Sequence, residues 1–342
     1  MVQKAKVKKT LNIVLKAIIV LAAYGFLYHQ LFREDKLDQV LEAISRFADI
    51  EGLYFMLAVV ILMMFVNWSI EAFKWRYLLK DEEQIGFLRS LKAVFAGITV
   101  SIFTPNRVGE FLGRVFILKK TKPLRAVFIT IIGSYSQLLV TLITGYIAVI
   151  YFSVQYLHLF VSVPVWLFNA LAFGVGLIIL LLTLLYLNLS ILDPLVNRLI
   201  NSRWKKVGQY FSVFSRFNTS TLIKVFAFSL LRYGVFTLQF LLLIHLFQVP
   251  TPWFDGFMLI ALMFFTMSAI PTVTLAELGV RGSVTITLFR MYIEMNREFT
   301  SIMEFGVFSA SSALWLINLA LPALLGTLFI FQLRFFKKNN AL

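Results

Sequence analysis

The sequence contains no cysteine among its 342 residues, and only 14% of its residues are charged. The absence of cysteine excludes disulfides, thiolate nucleophiles and cysteine-ligated zinc or iron–sulfur centres. A soluble protein has about a quarter charged residues. This chain is instead 60% apolar, with a mean hydropathy of +0.85. These values exclude a soluble globular fold and predict a protein of the lipid bilayer.

Residues and motifs of the common enzyme classes are also scarce. Only three histidines occur, His29, His158 and His245, and they are far apart in the sequence. There is no glycine-rich phosphate loop and no HExxH or GxSxG motif. We therefore expect no metal, no cofactor and no catalytic residues, although catalysis within the membrane region remains an open alternative.

Six apolar runs come close to the roughly 20 residues that a helix needs to cross a bilayer. They lie at about 11–32, 52–73, 125–152, 161–188, 221–247 and 305–335. We predict an all-α, polytopic membrane protein, with residues 1–342 forming a single transmembrane domain.

The distribution of basic residues predicts the orientation of these spans. Segment 33–51 has three basic residues against six acidic ones, whereas 198–224 has six basic residues and no acidic one. Because cytoplasmic loops are enriched in lysine and arginine, both termini and a basic linker, 189–220, are predicted to be cytoplasmic. The first span is then a retained signal anchor in the cytoplasmic (inner) membrane.

Two further apolar stretches, 85–118 and 253–293, are broken near their middle by proline. The first breaks at Thr104–Arg107 and the second at Ile270–Thr272. Each pattern predicts a re-entrant hairpin of two half-helices. The charges that flank them and the number of spans predict that the first hairpin dips from the cytoplasm and the second from the outside.

The two hairpins contain related charges. Glu110 and Arg114 are four residues apart, as are Glu277 and Arg281, and the second pair follows the first by 167 positions. This predicts an inverted repeat, as in transporters that bind substrate between broken helices. Its halves are 52–188 and 221–336, and the hairpin breaks are assigned to Pro105, Gly109, Pro271 and Gly279. Coincidence between two proline-kinked hairpins is the alternative.

Charged residues at membrane depth are candidates for a substrate site, because each costs about 2.5–3.5 kcal/mol to insert. The predicted substrate-binding residues are Arg107, Glu110, Arg114, Gln137, Arg232, Glu277 and Arg281. The arginines and the exposed N–H groups of broken helices suit an anionic headgroup. Alternatively, the Glu–Arg pairs only neutralise each other, and the polar stripe that contains Gln137 only joins helices.

Two further predictions concern the partner of Arg232 and a polar cluster near the end of the second span. Arg232, near the centre of the fifth span, is expected to pair with Glu110, Glu277 or a lipid phosphate. Asn67, Glu71 and Lys74 recur at helical spacing before Trp75 and Arg76. This cluster is interpreted as an anchor at the cytoplasmic interface.

The run Thr104-Pro105-Asn106-Arg107-Val108-Gly109-Glu110-Phe111-Leu112-Gly113-Arg114, with Lys74–Leu79 and Glu277–Arg281, resembles the lysylphosphatidylglycerol synthase transmembrane-domain family. Members of this family include the flippase half of bacterial multiple peptide resistance factors. The resemblance implies a lipid-flippase-like bacterial membrane domain with re-entrant helices. The family's soluble aminoacyl-transferring domain has no counterpart here, so we do not expect this chain to synthesise lysylphosphatidylglycerol.

The leading hypothesis is a translocase for a lipid or a lipid-linked intermediate, which binds an anionic headgroup at the two opposed hairpins. The alternative is an integral-membrane transferase or accessory factor for a lipid-linked sugar or phosphate. The expected partner is a membrane lipid headgroup and not a nucleic acid. A homo-oligomer and a separate lipid-modifying enzyme remain open as partners.

The predicted topology can be tested by labelling single cysteines, since the chain contains none of its own. A membrane-impermeant maleimide should label Thr104→Cys from the cytoplasmic side and Pro271→Cys from the outside. Lys205→Cys and Asp38→Cys serve as controls for the two sides. Labelling of both breaks from the same side would contradict the inverted repeat.

Overall fold

The structure is a computed structural model that describes residues 52–102, 104, 107–160, 164–191, 212–271 and 274–330, with single positions at 14, 17, 18, 21, 25 and 45. The described chain is helical. Its helices are α1 (Leu53–Leu79), α2 (Phe87–Ser101), α3 (Gly109–Val115), α4 (Pro123–Phe160), α5 (Val165–Leu187), α6 (Thr219–Leu246), α7 (Trp253–Ala269), α8 (Thr274–Ile293), α9 (Ser301–Trp315) and α10 (Leu321–Ile330). A π-helical turn, Leu316–Ala320, joins α9 to α10.

Local sequence accounts for several helix ends. The Asn218 side chain accepts a hydrogen bond from the Thr221 N–H at 2.8 Å and so caps α6. Thr300 caps α9 in the same way, through the N–H of Met303. Pro123 is the first residue of α4, where its missing N–H costs no helical hydrogen bond.

Five helical segments are long and apolar enough to cross a membrane: Leu53–Leu79, Pro123–Gln155, Val165–Leu187, Thr219–Leu246 and Ser301–Ile330. They correspond to five of the six predicted spans, and the multi-pass helical fold is confirmed. The sixth, 11–32, lies outside the described residues apart from single positions. In α5 the described side chains are mostly exposed, with only Ile179 and Tyr186 buried, as expected of a helix that faces lipid.

Both predicted breaks separate two helices. Residues between α2 and α3 interrupt the first stretch, and α7 ends at Ala269 before α8 begins at Thr274. Pro105 lies outside the described residues, whereas Pro271 directly follows Ile270, the C-terminal cap of α7. Assigning Gly279 to the second break was wrong, because the helix has already resumed five residues earlier. That the two helix pairs are re-entrant stays a prediction.

Outside its own pair, the first helix of each broken pair packs most extensively on a helix from the other half of the sequence. The first helix of the first pair, α2, packs on α10, and the first helix of the second pair, α7, packs on α4. The helices that begin the two candidate halves, α1 and α6, pack on each other. This reciprocal arrangement is the one expected of two related halves, and the inverted repeat stays a prediction.

The loop after α1 holds the segment that leads into α4. The Glu83 carboxylate accepts hydrogen bonds from the backbone N–H groups of Lys119, Lys120 and Thr121 at 2.6–3.1 Å, and from Arg89 at 3.1 Å. Burial opposes ionisation of Glu83, but these donors outweigh it and hold the pKa of the carboxyl below its usual range.

Glycine allows α2 and α3 to approach each other closely. A Cβ at Gly113 would lie 2.6 Å from the Cα of Gly97 and 2.9 Å from the carbonyl oxygen of Ala96. Both contacts involve backbone, so the helices would have to separate to admit a methyl group. Gly279 occupies a similar place in its own Glu–Arg motif, and a Cβ there would meet no described atom within 4 Å.

This difference predicts opposite effects of one substitution. Gly113→Ala should lower the melting temperature of the purified protein, because overpacking typically costs about 1–3 kcal/mol. Gly279→Ala should leave it unchanged or raise it, because alanine favours helix over glycine by about 0.5–1 kcal/mol. Thermal unfolding in detergent measures both, and equal stability of the two variants would contradict the close approach of α2 and α3.

Candidate functional site

A network of five charged side chains is centred on Glu71 of α1. One carboxylate oxygen of Glu71 lies 2.8 Å from Arg114 of α3, and the other lies 2.7 Å from Lys74 and 3.4 Å from Arg232 of α6. Arg114 also pairs with Glu110, one helical turn before it. Glu71, Lys74 and Arg114 are 5%, 1% and 3% exposed, so these charges are buried together.

The buried position of Lys74 corrects its interpretation as part of an interfacial anchor. Its ammonium group also donates hydrogen bonds to the Gly133 carbonyl of α4 and to the Ser229 hydroxyl of α6, each at 3.3 Å. Glu71 likewise replaces Glu110 and Glu277 as the acidic partner of Arg232. The i, i+4, i+7 spacing of Asn67, Glu71 and Lys74 places these side chains on one helix face, and the two charges on that face were a signal for the site.

A second network connects the two broken helix pairs. Arg107, from the first pair, donates hydrogen bonds to both carboxylate oxygens of Glu277, each at 2.7 Å. Glu277 also pairs with Arg281 on its own helix. Arg107 has a φ of 58°, a left-handed conformation that is unusual for a residue other than glycine. Such strained positions concentrate at functional sites.

A chain of amide side chains links α1, α6 and the π-helical turn between α9 and α10. The Oδ1 of Asn67 accepts a hydrogen bond from Arg232 Nε at 2.8 Å, and its amide group donates to Asn318 Oδ1 at 3.4 Å. Asn318 in turn donates to Gln239 at 2.9 Å. Asn318 lies within the π-helical turn, a feature that is frequent at functional sites. The sequence signalled neither this turn nor the role of Asn318.

A cavity of about 200 Å³ lies between the two charge networks. Its polar and charged lining residues are Asn67, Arg107, Gln137, Thr141, Arg232, Arg281 and Asn318. Its apolar and aromatic lining residues are Trp68, Tyr233, Phe236, Phe264, Trp315 and Leu319. No carboxylate is among the described residues that line it. The guanidinium of Arg232 lies 4.8 Å from the Trp68 ring, a cation–π contact.

The charges around the cavity do not balance. Within the two networks, three carboxylates face five cationic side chains at their ordinary protonation states, which leaves an excess of two positive charges. The carboxylates are Glu71, Glu110 and Glu277, and the cations are Lys74, Arg107, Arg114, Arg232 and Arg281. An uncompensated charge is costly at membrane depth, so the arrangement favours an anion in the cavity.

The predicted site residues fall into two groups in the structure. Arg107, Gln137, Arg232 and Arg281 line the cavity. Glu110, Arg114 and Glu277 are not among its lining residues and instead form ion pairs in the two networks. The two Glu–Arg pairs are formed, and substrate binding by all seven residues stays a prediction.

The different partners of Arg114 and Arg232 predict different effects of removing them. Arg114→Ala removes the ion-pair partner of Glu110 and one partner of Glu71, which should cost roughly 3–5 kcal/mol and reduce the folded yield. Arg232→Ala leaves Glu71 paired with Lys74 and Arg114, so this variant should fold. Size-exclusion profiles and melting temperatures in detergent compare them. Equal loss of folded protein in both would contradict the assignment of Arg232 to the cavity.

The comparison with known families agrees with this architecture. A family described as the lysylphosphatidylglycerol synthase TM region matches residues 13–299, which is well over half of the chain. No curated protein matches the sequence significantly. The matched region contains the broken helices and both charge networks. It ends before the last helical segment, which supplies Asn318 and Trp315 to the cavity. The chain therefore belongs to the family of the lysylphosphatidylglycerol synthase transmembrane region, and is a multi-pass membrane protein of a family related to lipid handling.

Proposed function

We propose that the protein moves a lipid with a phosphate-bearing headgroup between the leaflets of the cytoplasmic membrane. The observation that carries this proposal is a cavity lined by three arginines and no described carboxylate, between two charge networks that together have an excess of two positive charges. Asn67 and Arg232, which line it, lie about half-way along helices of 27 and 28 residues. A site at this depth is placed to receive a headgroup from either leaflet.

The ion pair between Arg107 and Glu277 is the contact that we propose to control lipid translocation. It joins the two broken helix pairs directly, and Arg107 also borders the cavity. A phosphate binds guanidinium groups through two parallel hydrogen bonds, as a carboxylate does. An incoming phosphate therefore competes with Glu277 for Arg107, while Glu277 keeps its pair with Arg281. Release of this contact allows the two helix pairs to move relative to each other.

The proposed orientation places the loop between α1 and α2, with Glu83, on the cytoplasmic side. The charge pattern that predicts this orientation also predicts cytoplasmic termini. A separate lipid-modifying enzyme and a second copy of the chain remain proposals for partners.

Lipid movement can be measured with the purified protein in vesicles of phosphatidylglycerol that contain an acyl-labelled phosphatidylglycerol. Reduction of the label by external dithionite should go beyond the outer leaflet in protein-containing vesicles only. The total lipid composition, measured by mass spectrometry, should stay constant. A changed lipid mass would instead support a transferase.

Glu277→Gln should reduce the translocation rate at least tenfold, because an amide cannot neutralise both Arg107 and Arg281. Glu304→Gln is the matched control, since Glu304 forms an ion pair with Arg290 in which both side chains are nearly half exposed. This control should translocate at the normal rate. Arg232→Lys should retain only part of the activity, because lysine lacks the planar fork that binds phosphate. Full activity of Glu277→Gln would contradict the proposed control point.

A further inference from the structure

Several cavity-lining side chains carry hydrogen-bond donors that have no acceptor among the residues the structure describes. The indole N–H groups of Trp68 and Trp315 and the Nε–H of Arg281 are buried and have no partner among the described residues. An indole nitrogen and a guanidinium can only donate hydrogen bonds. Each unsatisfied buried donor costs about 1–3 kcal/mol. A ligand rich in acceptor oxygens would relieve this cost.

The cavity offers no free negative charge to a ligand. Among the described residues, Glu277 already holds Arg107 and Arg281, and Glu71 holds three cations. Glu110 is paired with Arg114. An amine on the ligand would therefore meet guanidinium groups, and Glu277 stays neutralised by Arg281 even when a phosphate takes Arg107 from it. Like charges in such a site disfavour binding.

We infer that the cavity selects phosphate esters whose remaining headgroup is uncharged and carries hydroxyl oxygens, and that it discriminates against headgroups with an amine. This inference rests on the proposed function and narrows its substrate class. Phosphate and hydroxyl oxygens provide acceptors for the two indoles and for Arg281, whereas an ammonium group provides only donors. At about 200 Å³, the cavity is smaller than typical pockets for drug-sized molecules, of about 300–1,000 Å³, and suits a small headgroup.

The inference is tested by comparing two lipids that differ by one group. Short-chain phosphatidylglycerol and its lysyl ester are titrated into the full-length protein in detergent micelles, with binding measured by calorimetry. We expect phosphatidylglycerol to bind at least tenfold more tightly. Soluble glycerol phosphate, without acyl chains, distinguishes a lipid site from a site for a free phosphate ester. Equal affinity for glycerol phosphate would assign the cavity to a soluble ligand and overturn the lipid version of the inference.

Tryptophan variants test the donors themselves. Trp68→Phe and Trp315→Phe keep an aromatic ring but remove the N–H group, and each should weaken phosphatidylglycerol binding about three- to tenfold. Trp253→Phe is the control, because Trp253 is exposed, stacks on His245 and does not line the cavity. Its affinity should not change. Unchanged affinity in both cavity variants would overturn the role of the donors.

The same lipid pair in the vesicle assay separates failure of this inference from failure of the proposed function. If the lysyl ester binds and moves as well as phosphatidylglycerol, the selectivity is refuted while translocation stands. If phosphatidylglycerol binds preferentially but neither lipid moves, translocation is refuted while the selectivity stands. If neither lipid binds or moves, both are refuted.

Discussion

Burial of Glu71 together with three cations is the interaction on which this architecture depends. An ionised carboxylate is expensive in a low-dielectric interior unless it is paired and hydrogen-bonded. Glu71 meets this requirement with side chains from its own helix, from α3 after the first break, and from α6 in the second half of the chain. The position of the short helix α3 is therefore tied to two long helices by charge as well as by close glycine packing.

The two charge networks have different structural roles. The network around Glu71 binds helices from both halves and holds Arg232 at the cavity. The network around Glu277 depends on a contact between the two breaks, and one of its members, Arg107, has a strained backbone and a side chain about one-third exposed. A contact of this kind is easier to exchange than the buried one. The network around Glu71 therefore forms the fixed side of the cavity, and the network around Glu277 forms the side that can rearrange.

The sequence was sufficient to predict the helical membrane fold and five described spans, because long apolar runs have few alternatives in a bilayer. It also placed both breaks, since proline and charge within an apolar run cannot continue a lipid-facing helix. Arg107, Arg232 and Arg281 were found by the same cost argument. Their convergence on one cavity depends on contacts over more than 160 residues, which local patterns cannot provide.

The errors have equally specific causes. Glu71 and Lys74 lie close to Trp75 and Arg76, and this mixture of charged and aromatic residues is typical of an anchor at the membrane interface. Their helix, however, continues to Leu79. Gly279 was assigned to a break because glycine often interrupts helices, whereas the helix had already restarted at Thr274. Asn318 is a single amide in an apolar run, and its role depends on a π-helical turn that has no simple sequence signal.

The central claim is that the excess positive charge at mid-membrane depth is neutralised by a lipid phosphate. A cryo-electron microscopy map of the protein in phosphatidylglycerol nanodiscs tests it most directly. The account predicts density for a headgroup within the cavity, with its phosphate in contact with the guanidinium groups of Arg107 and Arg232. A well-resolved cavity without such density, in a map that shows lipids only on the outer surface of the helices, would contradict it.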